Sequence, residues 1–159
     1  MKIIVDSREQ LPYEFAGSRY SDVTIERGTL PTGDYSLAGL EDRIAIERKS
    51  LSDLTGTLTK GRQRFEKELE RSRSLTYFGL VIECSLDDIR FHRYESHMNP
   101  HSLLQSLTAY TIRYGVHINF CGSREGGEYI TYSILQKFLY EQQKQLKEIL
   151  KSHGEVGAA

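Results

Sequence analysis

Short apolar runs typical of β-strands are interleaved along this chain with segments of helical periodicity. No internal repeat, linker or low-complexity tract interrupts this pattern before the last few residues. Strands that alternate with helices pack as a sheet covered by helices. The sequence therefore predicts an α/β fold, with a mixed central β-sheet flanked by helices, over residues 1–150, followed by a flexible tail over residues 151–159.

The predicted strands differ in how much of each is buried. The run over residues 76–84 is nearly all apolar, as expected for a strand that is covered on both faces. The segment 22–26 alternates instead, which predicts that Val23 and Ile25 face inward. Strands are predicted at 2–6, 22–26, 34–37, 43–48, 76–84 and 116–120.

The predicted helices begin at capping residues. Ser50 is an N-cap with Asp53 three residues later, in an arrangement like a capping box, and Asn99 is a cap followed by Pro100 at the first helical position. Glycines weaken the first of these helices, so a break is expected near residues 59–61. Helices are predicted from 50 to this break, at 62–73, from 99 to the residue before Gly115, and from 125 to 150.

Acidic residues and a lysine recur at a spacing that adjacent strands could bring together. Gly33-Asp34 is separated by twelve residues from Glu47-Arg48-Lys49, and Asp53 follows after three more. In a strand, alternate side chains point to opposite faces, so Glu47 and Lys49 share one face and Arg48 points to the other. If Asp34 lies on the neighbouring strand, two carboxylates and an ammonium group converge.

This combination of groups suits the hydrolysis of phosphodiesters. Hard divalent cations such as Mg²⁺ or Mn²⁺ prefer oxygen ligands, which Asp34 and Glu47 provide. A neighbouring lysine can position the attacking water or offset the charge that builds on a phosphate. The cluster therefore predicts a metal-dependent phosphodiesterase.

A second acidic segment, Asp6-Ser7-Arg8-Glu9, follows the first predicted strand. The carboxyl end of a strand is a common location for site residues in α/β proteins, so Asp6 and Glu9 could add ligands to the cluster. Asp6 could instead be a turn residue that hydrogen-bonds to its own backbone.

The net charge is −1, but basic and acidic residues are unevenly distributed along the chain. Residues 1–47 have five basic and nine acidic groups, whereas residues 48–73 have eight basic and four acidic groups. A site that holds cations next to a phosphodiester backbone needs both signs of charge. A solvated helix over 62–73 is the alternative, but its pairs Glu66 with Glu70 and Lys67 with Arg71 are like-charged and would destabilise it.

These motifs resemble the nuclease domain of the xeroderma-pigmentosum-group-F (XPF) family of structure-specific endonucleases, whose signature is G-D-x(n)-E-R-K-x3-D. The matching segments are Val5-Asp6-Ser7-Arg8-Glu9, Gly33-Asp34-Tyr35, Glu47-Arg48-Lys49 with Asp53, Gly61-Arg62 with Phe65-Glu66, and the apolar strand that ends at Glu83. The resemblance implies a restriction-endonuclease-like fold and a DNA endonuclease that depends on Mg²⁺ or Mn²⁺ and acts on branched, nicked or single-stranded DNA in repair or recombination.

The resemblance also implies roles for the matching residues. Asp34, Glu47 and the backbone carbonyl of Arg48 would be metal ligands, and Asp6 and Glu9 would complete the acidic pocket, directly or through water. Lys49 would orient the nucleophilic water or stabilise the transition state.

At the remaining positions the resemblance leaves alternative roles open. The side chain of Arg48 would be structural or reach a phosphate, and Asp53 would orient Lys49 or Arg48 or cap its helix. DNA contacts are expected from Arg62, Arg64 and Lys60, whereas Arg8 would either contact DNA or pair within the acidic cluster.

Family members usually have helix-hairpin-helix modules or a helicase beside the nuclease domain, and these 159 residues contain no segment that matches either, so a preference for junctions or flaps is not carried over. The family dimerises through its nuclease domain, and the last predicted helix has an apolar face, at residues 134, 135, 138 and 139, that suits packing against a second copy of the chain or in an ordinary core.

Two other functions stay open: a non-catalytic DNA-binding subunit, and a restriction or junction-resolving nuclease of the same superfamily.

The compartment is predicted from two further features. Cys84 and Cys121 each follow an apolar run, and we expect free thiols in a reducing cytosol and not a disulfide. No apolar run is long enough to span a bilayer, and the first residues lack the apolar stretch of a secretory signal. We expect a cytoplasmic protein without a membrane partner that is found with the DNA, which is the nucleoid in a prokaryote.

Overall fold

The computed structural model describes residues 1–154 and contains one six-stranded mixed sheet with the strand order β2-β1-β3-β4-β5-β6. The strands are β1 (Lys2–Asp6), β2 (Thr24–Gly28), β3 (Tyr35–Leu37), β4 (Ile44–Lys49), β5 (Tyr77–Ile82) and β6 (His117–Phe120). The helices are α1 (Leu51–Leu58), α2 (Arg62–Ser72), α3 (Leu86–Arg90), α4 (Pro100–Tyr114) and α5 (Arg124–Ser152), with a 3-10 turn at Ser18–Tyr20. The predicted α/β class is confirmed.

Strand direction places several chain segments at one edge of the sheet. Only β3 is antiparallel to its neighbours, and the other five strands run in one direction. The carboxyl ends of β1, β4 and β5 therefore meet at the same edge as the beginning of β3. Asp6, Asp34 and the end of β4 are consequently neighbours, although they are far apart in sequence.

Two hydrophobic cores cover the two faces of the sheet. On one face, Ala45 and Leu80 pack with apolar side chains from α1 to α4. On the other face, Ile44 and Ile46 pack with α5 and with aromatic residues of the loop that follows β1. Because side chains alternate along β4, Glu47 and Lys49 lie on the same face as Ala45, and Arg48 lies on the face of α5.

Most of the predicted local features are confirmed. Ser50 and Asn99 cap α1 and α4, and the first predicted helix is broken between α1 and α2. Strand β5 is buried along nearly its whole length, and both cysteines are free thiols. No helix within residues 1–154 has the length and apolar character needed to cross a membrane.

Two local features were not predicted. Ile25 faces inward as expected, since it pairs with the buried Ile3 of β1, but it is 44% exposed because β2 is the edge strand of the sheet. The short helix α3 was not predicted, since five residues are too few to show helical periodicity, although Ser85 and Asp88 form a capping box at its start. Most of the predicted flexible tail lies outside the described residues, and α5 continues through Ser152.

Candidate active site

The turn before β3 brings Asp34 against β4. Gly33 has a φ of +78°, and a Cβ atom at this position would lie 3.0 Å from Ala45 Cβ and 3.1 Å from the carbonyl oxygen of Ile46. Glycine therefore suits this position for two reasons, the left-handed backbone and the close approach to β4. The glycine of the Gly-Asp motif allows Asp34 to reach the neighbouring strand.

The position of Asp34 is determined by backbone hydrogen bonds on both sides. Its N–H donates to the carbonyl of Ile46 at 2.7 Å, and its carbonyl accepts from the N–H of Asp6 at 2.8 Å. Its carboxylate Oδ2 accepts from the backbone N–H of Arg48 at 2.8 Å. Asp34 thus connects β1 to β4, and its side chain lies beside the Glu-Arg-Lys segment as the sequence predicted.

Glu47 and Lys49 lie on the same face of β4 and form an ion pair. The Nζ atom of Lys49 donates to Oε1 of Glu47 at 2.5 Å, and both side chains are largely buried. The ammonium group also lies 5.4 Å from the ring centroid of Phe65 on α2, a cation–π distance. Lys49 is therefore held between an acidic side chain and an aromatic ring.

The two buried carboxylates repel each other. Burial raises the pKa of Asp34 to about 7, and the charge of Glu9 adds to this rise. Burial also raises the pKa of Glu47 to about 8, with a further contribution from the charge of Asp34. Lys49 lowers both of these pKa values, and despite its burial its own pKa is raised by Glu47, so it is an ammonium ion at neutral pH. One lysine faces two carboxylates, so the two acids cannot both ionise without repulsion that the lysine leaves uncompensated.

Asp6 is held by an arginine and by a backbone amide. Arg8 donates from Nε and Nη2 to the two carboxylate oxygens of Asp6 at 2.7 and 3.0 Å, and the N–H of Leu30 donates at 2.7 Å. Although burial opposes the shift, these hydrogen bonds lower the pKa of Asp6. The Arg8 side chain pairs within the acidic cluster, and because it is 69% exposed it also faces solvent.

Glu9 lies on the other face of β4 from Glu47. It accepts from Nε and Nη2 of Arg48 at 3.4 and 3.3 Å, and Nη1 of Arg48 donates to Glu83 at 3.1 Å. Glu83 also accepts from the Tyr13 hydroxyl at 2.8 Å. The Arg48 side chain is 8% exposed, and although burial opposes the shift, its acidic partners raise its pKa. The predicted structural role of Arg48 agrees with these contacts.

The predicted residues outside this centre differ in their surroundings. Asp53 takes part in the cap of α1, since its N–H donates to the hydroxyl oxygen of the N-cap Ser50 at 3.1 Å and its carboxylate accepts from that hydroxyl at 2.7 Å. Arg62 donates to the carbonyl of Leu58 at 3.1 Å and to Ser106 at 3.0 Å, and pairs with Glu66 one turn along α2, a complementary pair that sequence reasoning overlooked. Lys60 and Arg64 are exposed. DNA contact by these residues stays a prediction.

Sequence reasoning did not assign roles to two acidic residues beside this centre. Glu83 was matched only as the end of an apolar strand, and Glu68 was not singled out. Glu68 accepts from Thr32 Oγ1 and from Gly33 N–H, each at 3.2 Å. The available signal was helical spacing, because Phe65 and Glu68 are three residues apart and so share one face of α2.

The residues present fit a divalent cation by their chemistry. Within residues 1–154, no hydrogen bond engages Oδ1 of Asp34 or Oε2 of Glu47, so each carboxylate keeps a free oxygen. In the same part of the chain, no group of three or more histidine, cysteine or acidic side chains has the arrangement of a metal site. The fit therefore depends on two adjacent carboxylates whose mutual repulsion a divalent cation would relieve.

Comparison with known proteins places this geometry among related folds. A family model described as the ERCC4 domain matches residues 5–149. The similar solved structures include XPF from Aeropyrum pernix, with 23% sequence identity and a TM-score of 0.68 over 86% of this chain and 60% of that chain. They also include XPF from Aeropyrum pernix in complex with DNA, with 21% identity and a TM-score of 0.64 over 88% of this chain and 66% of that chain. No curated protein matches the sequence significantly.

These likenesses show the fold. The predicted restriction-endonuclease-like architecture and the resemblance to the XPF nuclease domain are confirmed. The chain spans 60% of the first XPF chain and 66% of the second.

Proposed function

Since the chain belongs to the ERCC4 domain family, whose model matches residues 5–149, we propose that it is a DNA endonuclease that hydrolyses phosphodiester bonds with Mg²⁺ or Mn²⁺. The observation that carries this proposal is the buried pair of carboxylates, Asp34 and Glu47, beside a protonated lysine. Two adjacent acids with raised pKa values and free oxygens suit a divalent cation, which would relieve their repulsion.

Asp34 and Glu47 would hold the cation through their free carboxylate oxygens. The carbonyl of Arg48, which lies between Glu47 and Lys49, is the proposed third ligand, and Asp6 and Glu9 would act through water. A bound divalent cation would polarise the scissile phosphate and lower the pKa of an attacking water.

The proposed role of Lys49 is that of a hydrogen-bond donor and not of a base that accepts a proton. Because its pKa is raised, it stays an ammonium ion, so it can donate hydrogen bonds to a phosphate oxygen or to the attacking water. Its contacts with Glu47 and Phe65 hold the ammonium group within the acidic cluster. The proposed role of Lys49 is therefore to stabilise the negative charge that develops on the phosphate.

DNA is the proposed substrate, and the DNA complex of XPF from Aeropyrum pernix supports this choice. The exposed side chains of Arg8, Lys60 and Arg64 are the proposed contacts to the phosphate backbone, with Arg62 at the start of α2. The proposed substrates are branched, nicked or single-stranded DNA in repair or recombination, and the proposed location is the cytoplasm, with the DNA.

Homodimerisation through α5 is a further part of this proposal. The helix exposes Leu146 and Ile149, each more than half accessible to solvent, on the side of the helix that also carries Phe138. An apolar groove of about 470 Å³ runs between α5 and the sheet, lined by residues that include Tyr77, Ile134 and Phe138. A second copy of α5 would cover this surface.

The test is a cleavage panel on flap, fork, four-way-junction, nicked, linear and single-stranded DNA, with Mg²⁺, with Mn²⁺ and with a chelator. We expect metal-dependent cutting of at least one of these substrates by the wild-type protein. DNA binding without cutting under any metal condition would overturn the proposal and favour a non-catalytic DNA-binding subunit. Cutting confined to specific sequences or to four-way junctions would favour a restriction or junction-resolving nuclease.

A further inference from the structure

Glu68 lies on α2 with its carboxylate directed at the turn that presents Asp34. Its Oε1 atom accepts from the hydroxyl of Thr32 and from the backbone N–H of Gly33, each at 3.2 Å. Both donors belong to buried residues, and Thr32 is only 6% exposed. One side chain of α2 therefore satisfies two buried polar groups in the two residues that precede Asp34.

These hydrogen bonds matter because the turn is buried and closely packed. Gly33 has a left-handed φ of +78° and lies in close contact with Ala45 and Ile46 of β4. Without Glu68, its N–H group and the Thr32 hydroxyl would be buried without an acceptor, which destabilises a structure more than exposing the same groups to water. The turn would then be expected to rearrange, and Asp34 follows it directly.

The charge of Glu68 also reaches the acidic centre. Burial is the main cause of the raised pKa values of Asp34 and Glu47, and Glu68 adds to both. Glu68 also adds to the raised pKa of Lys49, although burial opposes that shift. On the same face of α2, Phe65 contacts Lys49, so this helix face adjoins both the acidic and the basic part of the site.

We infer that Glu68 is a positioning residue, which accepts hydrogen bonds from the turn at residues 32–33 and thereby holds Asp34 in place to bind a divalent cation. This inference rests on the proposed function for the identity of the cation. Its structural part, the restraint of the turn by a carboxylate oxygen, is independent of catalysis.

The test compares three variants of the full chain with the wild-type protein. Glu68→Ala removes the acceptor, and Glu68→Gln keeps an acceptor oxygen of the same reach but no charge. Glu70→Ala is the matched control, because Glu70 lies on the same helix, has a side chain that is 62% exposed and, among residues 1–154, pairs only with the exposed Arg73. Amide hydrogen exchange, measured by NMR without metal, reports the opening of the turn at residues 32–33. Val81 of the buried strand β5 is the internal reference for global unfolding.

For Glu68→Ala, we expect the amides of Gly33 and Asp34 to exchange faster by about tenfold or more than in the wild-type protein, with little change at Val81. In Glu68→Gln, the same amides should exchange within about twofold of the wild-type rate, because the amide oxygen still accepts. Mg²⁺ titration calorimetry should show weaker binding by Glu68→Ala than by Glu68→Gln, and no change for Glu70→Ala.

Three results would overturn the inference. In the first, Gly33 and Asp34 exchange no faster in Glu68→Ala than in Glu70→Ala. In the second, Gly33, Asp34 and Val81 all speed up together, which indicates a general loss of stability. In the third, Glu68→Gln fails as badly as Glu68→Ala, which makes the charge and not the acceptor the important property. Absence of Mg²⁺ binding by the wild-type protein would count against the proposed function, while the exchange data would still decide the role of Glu68.

Discussion

The two faces of β4 differ in how completely their buried charged side chains are paired. On the face of α5, the Arg48 guanidinium lies between Glu9 and Glu83, and Glu83 also pairs with Arg124 at 3.6 Å and accepts a hydrogen bond from Tyr13. On the other face, Glu47 and Asp34 share one ammonium group, and each keeps a carboxylate oxygen without a protein donor within residues 1–154. Arg48 therefore belongs to a network in which the charges are paired. The adjacent Glu47 belongs to a cluster in which two carboxylates face one ammonium group.

This difference separates structural residues from candidate catalytic ones. In a buried ion network whose charges are all paired, the partner of each charge is another side chain of the folded protein. A buried cluster in which acids outnumber bases has shifted pKa values, which are common at functional sites. We therefore expect substitutions on the Arg48 face to reduce stability, and substitutions on the Glu47 face to reduce activity with little loss of stability.

The largest expected effect on stability is that of Arg48→Met. It leaves Glu9 and Glu83 buried without their shared partner, which should cost about 3–5 kcal/mol in the free energy of unfolding. Urea denaturation followed by circular dichroism measures this loss. Arg73→Met is the control, since it breaks an exposed pair and should change the free energy of unfolding by no more than about 0.5 kcal/mol. Equal effects of the two substitutions would contradict the assignment of Arg48 to a structural network.

The largest expected effect on activity is that of Asp34→Asn and of Lys49→Met. Each should lower the rate of metal-dependent cleavage by about 10²–10³-fold, because each removes a charge that acts on the reacting phosphate or its cation. Without metal, Asp34→Asn should be at least as stable as the wild-type protein, since it removes repulsion from Glu47 while an amide oxygen still accepts from the N–H of Arg48. Wild-type cleavage rates in both variants would exclude this face as the active site.

The pH dependence of stability should also distinguish the two faces. The folded pKa values of Asp34 and Glu47, about 7 and about 8, lie above their unfolded values, so the folded state keeps protons that the unfolded chain has released. Stability of the metal-free protein should therefore fall as pH rises from about 5 to about 8, by about 1.4 kcal/mol per pH unit for each extra proton that the folded state keeps.

Thermal denaturation in a chelating buffer measures this slope. The slope should be shallower in Glu47→Gln and unchanged in Arg73→Met, which lies outside the cluster. A wild-type stability that is flat or rises over this range would contradict the raised pKa values.

The smallest expected effect is that of Tyr13→Phe. It deletes the hydroxyl that donates to Glu83 at 2.8 Å and leaves the stacked contact of the ring with Tyr35. One hydrogen bond to a charged acceptor is lost, so we expect a cost of about 1.5–3 kcal/mol and no change in cleavage rate. Urea denaturation and the cleavage assay measure the two quantities. A cleavage defect larger than the stability defect would show that the two faces of β4 are coupled.

The sequence could predict the features that depend on local periodicity. Alternation along β4 was enough to separate Glu47 and Lys49 from Arg48, and the pairing of neighbouring strands was enough to bring Asp34 beside them. The caps at Ser50 and Asn99 depend on residues within one turn, so they too were visible in the sequence.

The partners of these residues could not be predicted, because they depend on how distant elements pack. Arg48 and Glu83 are 35 positions apart, as are Glu68 and the N–H of Gly33, and no spacing rule connects them. The exposure of Ile25 could not be predicted either, since only the complete sheet shows that β2 is an edge strand. Local patterns therefore identified the site, whereas the residues that hold it in place became visible only in the fold.

Calorimetric titration of Mg²⁺ at pH 7 tests the central claim most directly, if it is done in two buffers that differ in ionisation enthalpy. Asp34 and Glu47 have pKa values near or above this pH, so binding should release protons, and the apparent enthalpy should differ between the two buffers. Asp34→Asn and Glu47→Gln should lose most of the affinity, and Arg73→Met should keep it. No binding by the wild-type protein, or undiminished binding by Asp34→Asn, would contradict a divalent-cation site on this face of β4.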